Sequence, residues 1–225
     1  MRLTASDGHE LDVYVAETAA APHAAVVIIQ EIFGVNSHIR SVADDYAQQG
    51  YYAIAPALFD RVERNLELGY GPEDRQHGMH AATRTGLDAG LKDIEAAVEH
   101  AAGKFGNKKV AVVGDCFGGT LAWLAATRLY VAAAFGYYGG RIAQYAEEKP
   151  GCPVMLHFGR KDAHIPPSEI ERIQRFHPGL PLFLYDAGHG FNCDQRDSYD
   201  PASASLARQR TLEFLRKHLS EPPNC

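Results

Sequence analysis

Two kinds of segment alternate along the chain. Short, nearly unbroken apolar runs rich in β-branched residues are followed by longer stretches in which apolar residues recur every three or four positions. Arg2 to Ala16 alternates loosely around Asp7-Gly8, the pattern of a β-hairpin. Ala24 to Gln30 reads AAVVIIQ and predicts a parallel strand buried on both faces. Ser37 to Gln49 then carries Ile39, Val42, Ala43 and Tyr46 at helical spacing, with Gly50 placed to end the helix. Tyr51 to Ala55 predicts the next strand, stopped by Pro56.

Residues 60 to 86 are polar and weakly patterned, so a long loop with a short helix near Asp74 to Thr83 is expected there. Further helices are predicted over Leu87 to Ala102, Gly118 to Arg128, Ile142 to Glu147, Pro167 to Phe176 and Ala202 to Leu219. Strands are predicted over Lys109 to Val113, Ala132 to Tyr138, Pro153 to Phe158 and Leu180 to Tyr185. This alternation is the order of a mostly parallel sheet covered by helices on both faces, an α/β fold, here expected as one domain over residues 1 to 225. Sites in such folds lie beyond the carboxyl ends of the strands.

Composition changes the picture mainly by exclusion. Hydrophobic residues at 46% and charged residues at 22% are those of an ordinary globular chain. With 22 basic against 28 acidic residues the net charge is −6, which offers no basic footprint for nucleic acid or an anionic membrane. Apolar runs such as Ala24 to Ile29 fall far short of the ~20 residues that span a bilayer. Met1-Arg2-Leu3 leads straight into polar residues, so neither a signal peptide nor a membrane span is expected, and the thiols are expected reduced in the cytoplasm. Cys116, Cys152, Cys193 and Cys225 form no Cys-x-x-Cys pair. His77 and His80 are three apart with no third ligand at a recognised spacing, and read as solvated loop residues. Neither a metal nor a cofactor is expected.

The candidate chemistry starts at Val110-Ala-Val-Val-Gly114-Asp115-Cys116-Phe117-Gly118-Gly119, an apolar strand, a Gly-x-Cys-x-Gly-Gly turn and then a helix. A tight strand-to-helix turn exposes the residue at its tip, and the flanking glycines are needed where side chains would collide with the adjoining strand and helix. The opening helix favours a thiolate at Cys116. The same glycines also fit a phosphate-binding turn or a cysteine that is merely packed, although the Lys-Ser/Thr of a P-loop is missing. Two later corners favour catalysis: one strand ends in Gly159-Arg160-Lys161-Asp162, the next in Asp186-Ala187-Gly188-His189. Nucleophile, acid and base in that chain order, each past a strand tip, is the α/β-hydrolase order.

At this point nearly the whole chain resembles the dienelactone hydrolases (carboxymethylenebutenolidases) of the α/β-hydrolase superfamily. The resemblance rests on Gly114 to Gly119, Gln30-Glu31-Ile32-Phe33-Gly34-Val35-Asn36, Gly136-Tyr137-Tyr138-Gly139, and the corners at Gly159 to Asp162 and Ala187 to His189. It implies a three-layer α/β-hydrolase fold with a Cys116, His189, Asp162 triad that cleaves a lactone or ester through a thioacyl-enzyme. It also implies an oxyanion hole of the Phe117 and Ile32 amides, each such donor being worth ~3 kcal/mol.

By the same resemblance Glu31 contacts the resting cysteine and controls its protonation, the alternative being a carboxylate that merely pairs with a nearby arginine, and Arg75, in the loop before a helical segment, grips a substrate carboxylate, the alternative being a solvated arginine. The expected partner is therefore a small, anionic lactone or ester. The family's second carboxylate-binding arginine falls four residues after the histidine, where this chain has Cys193, and only Arg196 stands near enough in sequence to reach back. Losing a bidentate clamp costs ~1.5–3 kcal/mol per charged hydrogen bond, which leaves a broad small-ester or lactone hydrolase as an alternative to dienelactone hydrolysis. Tyr137 and Tyr138 either line the pocket or belong to the core. A different class of function, a non-catalytic homologue that binds a ligand or senses oxidants through Cys116, would need no acid and base in order.

Overall fold

In the computed structural model, residues 1–16, 18 and 21–219 are described; Cys225 lies outside them. Eight strands form one sheet: β1 (Arg2–Thr4), β2 (Glu10–Val15), β3 (Ala25–Ile29), β4 (Tyr52–Pro56), β5 (Val110–Asp115), β6 (Ala133–Tyr137), β7 (Val154–Gly159) and β8 (Leu182–Tyr185). Their order is β1-β2-β4-β3-β5-β6-β7-β8. The β1–β2 and β2–β4 pairs are antiparallel, and the others are parallel. The unbroken apolar runs occupy the centre, where Val27 pairs with Val112 and Val113 with Phe135. Every residue of β3, β5, β6 and β7 is buried, and each Val or Ile so placed contributes ~1.5–3 kcal/mol by leaving water.

Helices cover both faces: α1 (Ser37–Gln48), α2 (Pro72–Thr85), α3 (Leu87–Phe105), α4 (Phe117–Arg128), α5 (Pro167–Phe176) and α6 (Pro201–Leu219). The α3 and α4 helices pack together on one face. On the other, α1 and α6 are tied by the Arg208–Asp45 ion pair and by Arg208 lying over the Tyr46 ring. A buried network under α6 locks it to the sheet: Thr211 Oγ1 lies 2.6 Å from the Tyr137 hydroxyl and 3.1 Å from His157 Nε2, whose Nδ1 meets the Tyr185 hydroxyl at 2.8 Å. Among the described residues no helix is long and apolar enough to cross a membrane.

Two segments differ from the sequence expectation. The loop expected over residues 60 to 86 holds a short 3-10 turn, Leu58–Arg61, and the 14-residue helix α2, which is longer than predicted. Pro72 opens that helix and Asp74 accepts from the Gly71 amide at 3.2 Å, a start signal that carries no apolar stripe. Its buried positions are the small Gly78, Ala81 and Thr85. A Cβ at Gly78 would lie 2.0 Å from the Ile32 carbonyl oxygen, so only glycine lets α2 seat there.

The helix expected over Ile142 to Glu147 is a 3-10 turn, Ile142–Tyr145. Side chains capture its carbonyls: Arg172 Nε donates to Ala143 O, Trp123 Nε1 to Tyr145 O, and His177 Nε2 lies 2.7 Å from Ala146 O. The acceptors of a longer helix are thereby taken.

Candidate active site

The groups of interest stand on the crest formed by the carboxyl ends of β3, β5, β6, β7 and β8. Between β5 and α4, Cys116 sits alone in the turn with φ +54° and ψ −111°, a conformation that a non-glycine residue keeps only when its surroundings enforce it. Its amide donates to Tyr137 O at 2.9 Å. A Cβ at Gly118 would come within 2.3 Å of Ile29 O, so the turn closes this tightly against β3 only because that side chain is missing. Phe117 opens α4, where the first amides have no partner inside the helix. Ile32 follows β3 on the other side of the turn.

His189 and Asp162 reach Cys116 from the neighbouring strand tips. His189 Nδ1 lies 2.7 Å from Asp162 Oδ2, and Asp162 Oδ1 accepts from the His164 amide at 2.8 Å, which fixes the carboxylate. The other side of the imidazole meets the Cys116 sulfur. Burial opposes a charged imidazole here, but the hydrogen bonds to Asp162 and Cys116 and the charges of both outweigh it and push His189 up to about 10.

Glu31 is 1% exposed and does not stand alone: Arg196 Nη1 donates to its Oε1 at 3.0 Å, while Oε2 has no hydrogen-bond partner among the described residues. Glu31 is thus held by an ion pair with Arg196, whose guanidinium also lies 5.7 Å from the Phe33 ring centre and 6.0 Å from that of Tyr70. Gly190 leaves the space it needs, since a Cβ there would lie 2.5 Å from the guanidinium. Arg75 belongs to α2, which starts at Pro72, two residues earlier than the polar pattern suggests, rather than to a loop. Arg75 and Arg196 line one cleft of about 600 Å³ together with Tyr70, Lys161, His164 and His189. Tyr138 is fully buried with φ +39° and lies beneath the His189 ring at 5.0 Å rather than in the cleft wall.

Behind the turn, Asp115 is completely buried; Asn192 Nδ2 donates to its Oδ1 at 3.4 Å, and Oδ2 has no hydrogen-bond partner among the described residues. Burial and then the Glu31 carboxylate push Asp115 up to about 6. Cys193 does not face the cleft as an arginine substitute. It is wholly buried against Tyr70 and near His38 and Asp194, and burial pushes its thiol up to about 12. His77 pairs with Glu63 on the exposed face of α2, as a solvated residue does, and burial raises the Cys152 thiol to about 12.

Sequence reasoning left the Arg196 pair open and passed over the acid at Asp115. No local signal marks either, because both depend on neighbours far away in the chain.

A family model described as the dienelactone hydrolase family matches residues 11–219. The carboxymethylenebutenolidase of Pseudomonas putida is 34% identical over 227 residues, 96% of this chain and 95% of that protein. Carboxymethylenebutenolidase 1 of Cupriavidus pinatubonensis is 33% identical over 223 residues, covering 96% and 95%. A crystal structure from Klebsiella pneumoniae, 29% identical and covering 96% of this chain and 97% of its own, superposes with a TM-score of 0.83.

Proposed function

The chain belongs to the dienelactone hydrolase family, hydrolases of ester and lactone bonds, and from that premise we propose that it opens a small carboxylated lactone, dienelactone foremost, with Cys116 as the nucleophile. The observation that carries this reading is the left-handed Cys116 at the β5–α4 turn, joined to an imidazole that Asp162 holds at 2.7 Å. A packed cysteine or a ligand-sensing thiol needs neither the strained turn nor the aligned acid.

The steps follow from the order Asp162, His189, Cys116 along the crest. The Cys116 thiolate attacks the lactone carbonyl carbon, and the carbonyl oxygen takes the negative charge between the amides of Phe117 and Ile32. Collapse breaks the ring carbon–oxygen bond, and His189 gives its proton to the departing oxygen, leaving a thioacyl-enzyme with the opened chain attached. His189 then takes a proton from water, the hydroxide attacks the thioester, and Cys116 leaves as thiolate while the imidazole is again protonated. Asp162 keeps the imidazole in one tautomer throughout.

Selectivity for an anion rests on the cations of the cleft. Arg75, Lys161 and Arg196 converge beside His189, and Arg196 reaches the cleft from seven residues beyond the histidine, in place of the arginine that Cys193 displaces. The test compares kcat/KM for a carboxylated lactone and its neutral methyl ester in the wild type and in Arg75→Gln and Arg196→Gln. A preference of tenfold or more for the anion, reduced in both variants, supports the reading; equal values in the wild type refute the anionic substrate. A burst of p-nitrophenol from p-nitrophenyl acetate that survives Cys116→Ala refutes the nucleophile.

A further inference from the structure

Apart from the residues that line the cleft, the fold brings together three donors separated by up to 156 positions in the chain: His38 in the first turn of α1, and Cys193 and Asp194 beyond β8. We propose that His38, Cys193 and Asp194 bind one divalent transition-metal ion of the Zn²⁺ class, at a site separate from Cys116.

One donor atom from each residue lies within 4.8 Å of the others. A tetrahedral zinc with bonds of about 2.0–2.3 Å holds its ligands ~3.5 Å apart, so a modest closure suffices. The side chain free to make it is Asp194, which is 59% exposed, whereas His38 and Cys193 are buried. A nitrogen, a sulfur and an oxygen form a borderline donor set, which favours zinc or cobalt over the oxygen-seeking magnesium and calcium.

His38 faces the other two donors through its Nδ1, which lies 2.9 Å from Asp194 Oδ1. The sulfur is supported from behind, where Asn36 Nδ2 donates to the Tyr70 hydroxyl at 3.1 Å and Tyr70 meets Cys193. Such outer contacts orient metal ligands. A cavity of about 350 Å³ bordered by His38, Asn192, Asp194, Tyr199 and Arg208 opens on the site and leaves a fourth position for water.

Binding exchanges a proton for the ion. The Cys193 thiol loses H⁺ to solvent and its sulfur joins the metal, with a neutral His38 and an ionised Asp194, and no oxidation state changes. Spacing along the chain hides this site, because no two of its ligands form a recognised metal motif.

The test uses the full-length Cys116→Ser chain, so that the turn thiol takes no part. Titration with Co²⁺ should produce a sulfur-to-cobalt charge-transfer absorption in the near ultraviolet that saturates at one ion per chain, release one proton per ion, and be bleached by Zn²⁺. The absorption should vanish in Cys116→Ser/Cys193→Ser, and Co²⁺ affinity should fall at least tenfold in His38→Gln. If the buried Cys193→Ser change prevents folding, the exposed Asp194→Asn variant takes its place with the same tenfold loss expected. No absorption in Cys116→Ser, absorption that persists without Cys193, or affinity unchanged in Asp194→Asn overturns the proposal. Because the readout is not hydrolysis, it stands apart from the reading of Cys116.

Discussion

Replacing Asp115 by asparagine should stabilise the protein progressively as pH rises. The carboxyl is buried at the end of β5, faces Glu31 from β3, Asn192 beyond β8, Tyr138 after β6 and the more distant His38 on α1, and titrates near 6 instead of the ordinary 3.8. A folded-state value above the unfolded one means that ionisation costs stability. The penalty is absent well below 3.8, grows through 6 and is constant above it. At 1.36 kcal/mol per unit, the raised value amounts to about 3 kcal/mol at pH 8 and to a small fraction of that at pH 4.

Asparagine keeps the shape, its carbonyl still accepts from Asn192, and it removes the charge. Urea unfolding of both proteins at pH 4, 6 and 8 gives the stability difference between variant and wild type. That difference should move in the variant's favour by about 2–3 kcal/mol between pH 4 and pH 8, whatever constant cost the amide carries. Equal slopes in urea would show that the unfolded states are comparable. A difference that does not vary with pH refutes the raised carboxyl and the burial argument behind it.

Three other outcomes are expected. With His189 held up to about 10, kcat/KM for p-nitrophenyl acetate should cross pH 6.5 without an acid limb and fall on the alkaline side, as the imidazolium and the stability of its pairing are lost through about pH 10; a limb at 6.5 that Asp162→Asn leaves in place contradicts this. Gly118→Ala, whose Cβ would meet Ile29 O at 2.3 Å, should abolish activity and lower Tm, whereas Gly103→Ala, on the exposed face of α3 with nothing within 4 Å, should raise stability by ~0.5–1 kcal/mol in thermal or urea unfolding. Arg196→Ala strands the buried Glu31 charge and should cost ~3–5 kcal/mol, with much of the loss recovered in the Glu31→Gln/Arg196→Ala double variant; equal stability of the two variants argues against the pair.

The central sheet and the Cys116 turn are legible in the sequence because their causes are local. A β-branched run such as AVVII is a strand wherever it is covered on both faces, and a nucleophile-type turn announces itself by the glycines around it. The α2 helix is harder to read because it packs through Gly78, Ala81 and Thr85, and small residues leave no apolar stripe. The Ile142–Tyr145 turn is illegible for another reason: the groups that take its carbonyls, Trp123, Arg172 and His177, come from other elements. Nor does any spacing rule join Glu31 to Arg196, since partners 165 positions apart meet only after the sheet has ordered β3 beside β5 and brought the end of β8 round to them.

The chain order of the crest also has a consequence in time. Cys116 is synthesised before Asp162 and His189, and Arg196 follows all three. At ~5–20 residues per second His189 leaves the ribosome roughly 4 to 15 s after Cys116, and α6, which locks the sheet from below, comes later still. Through that interval Cys116 has no imidazole beside it. The crest that brings Asp162 and His189 together is therefore assembled only after the segment through His189 has been made.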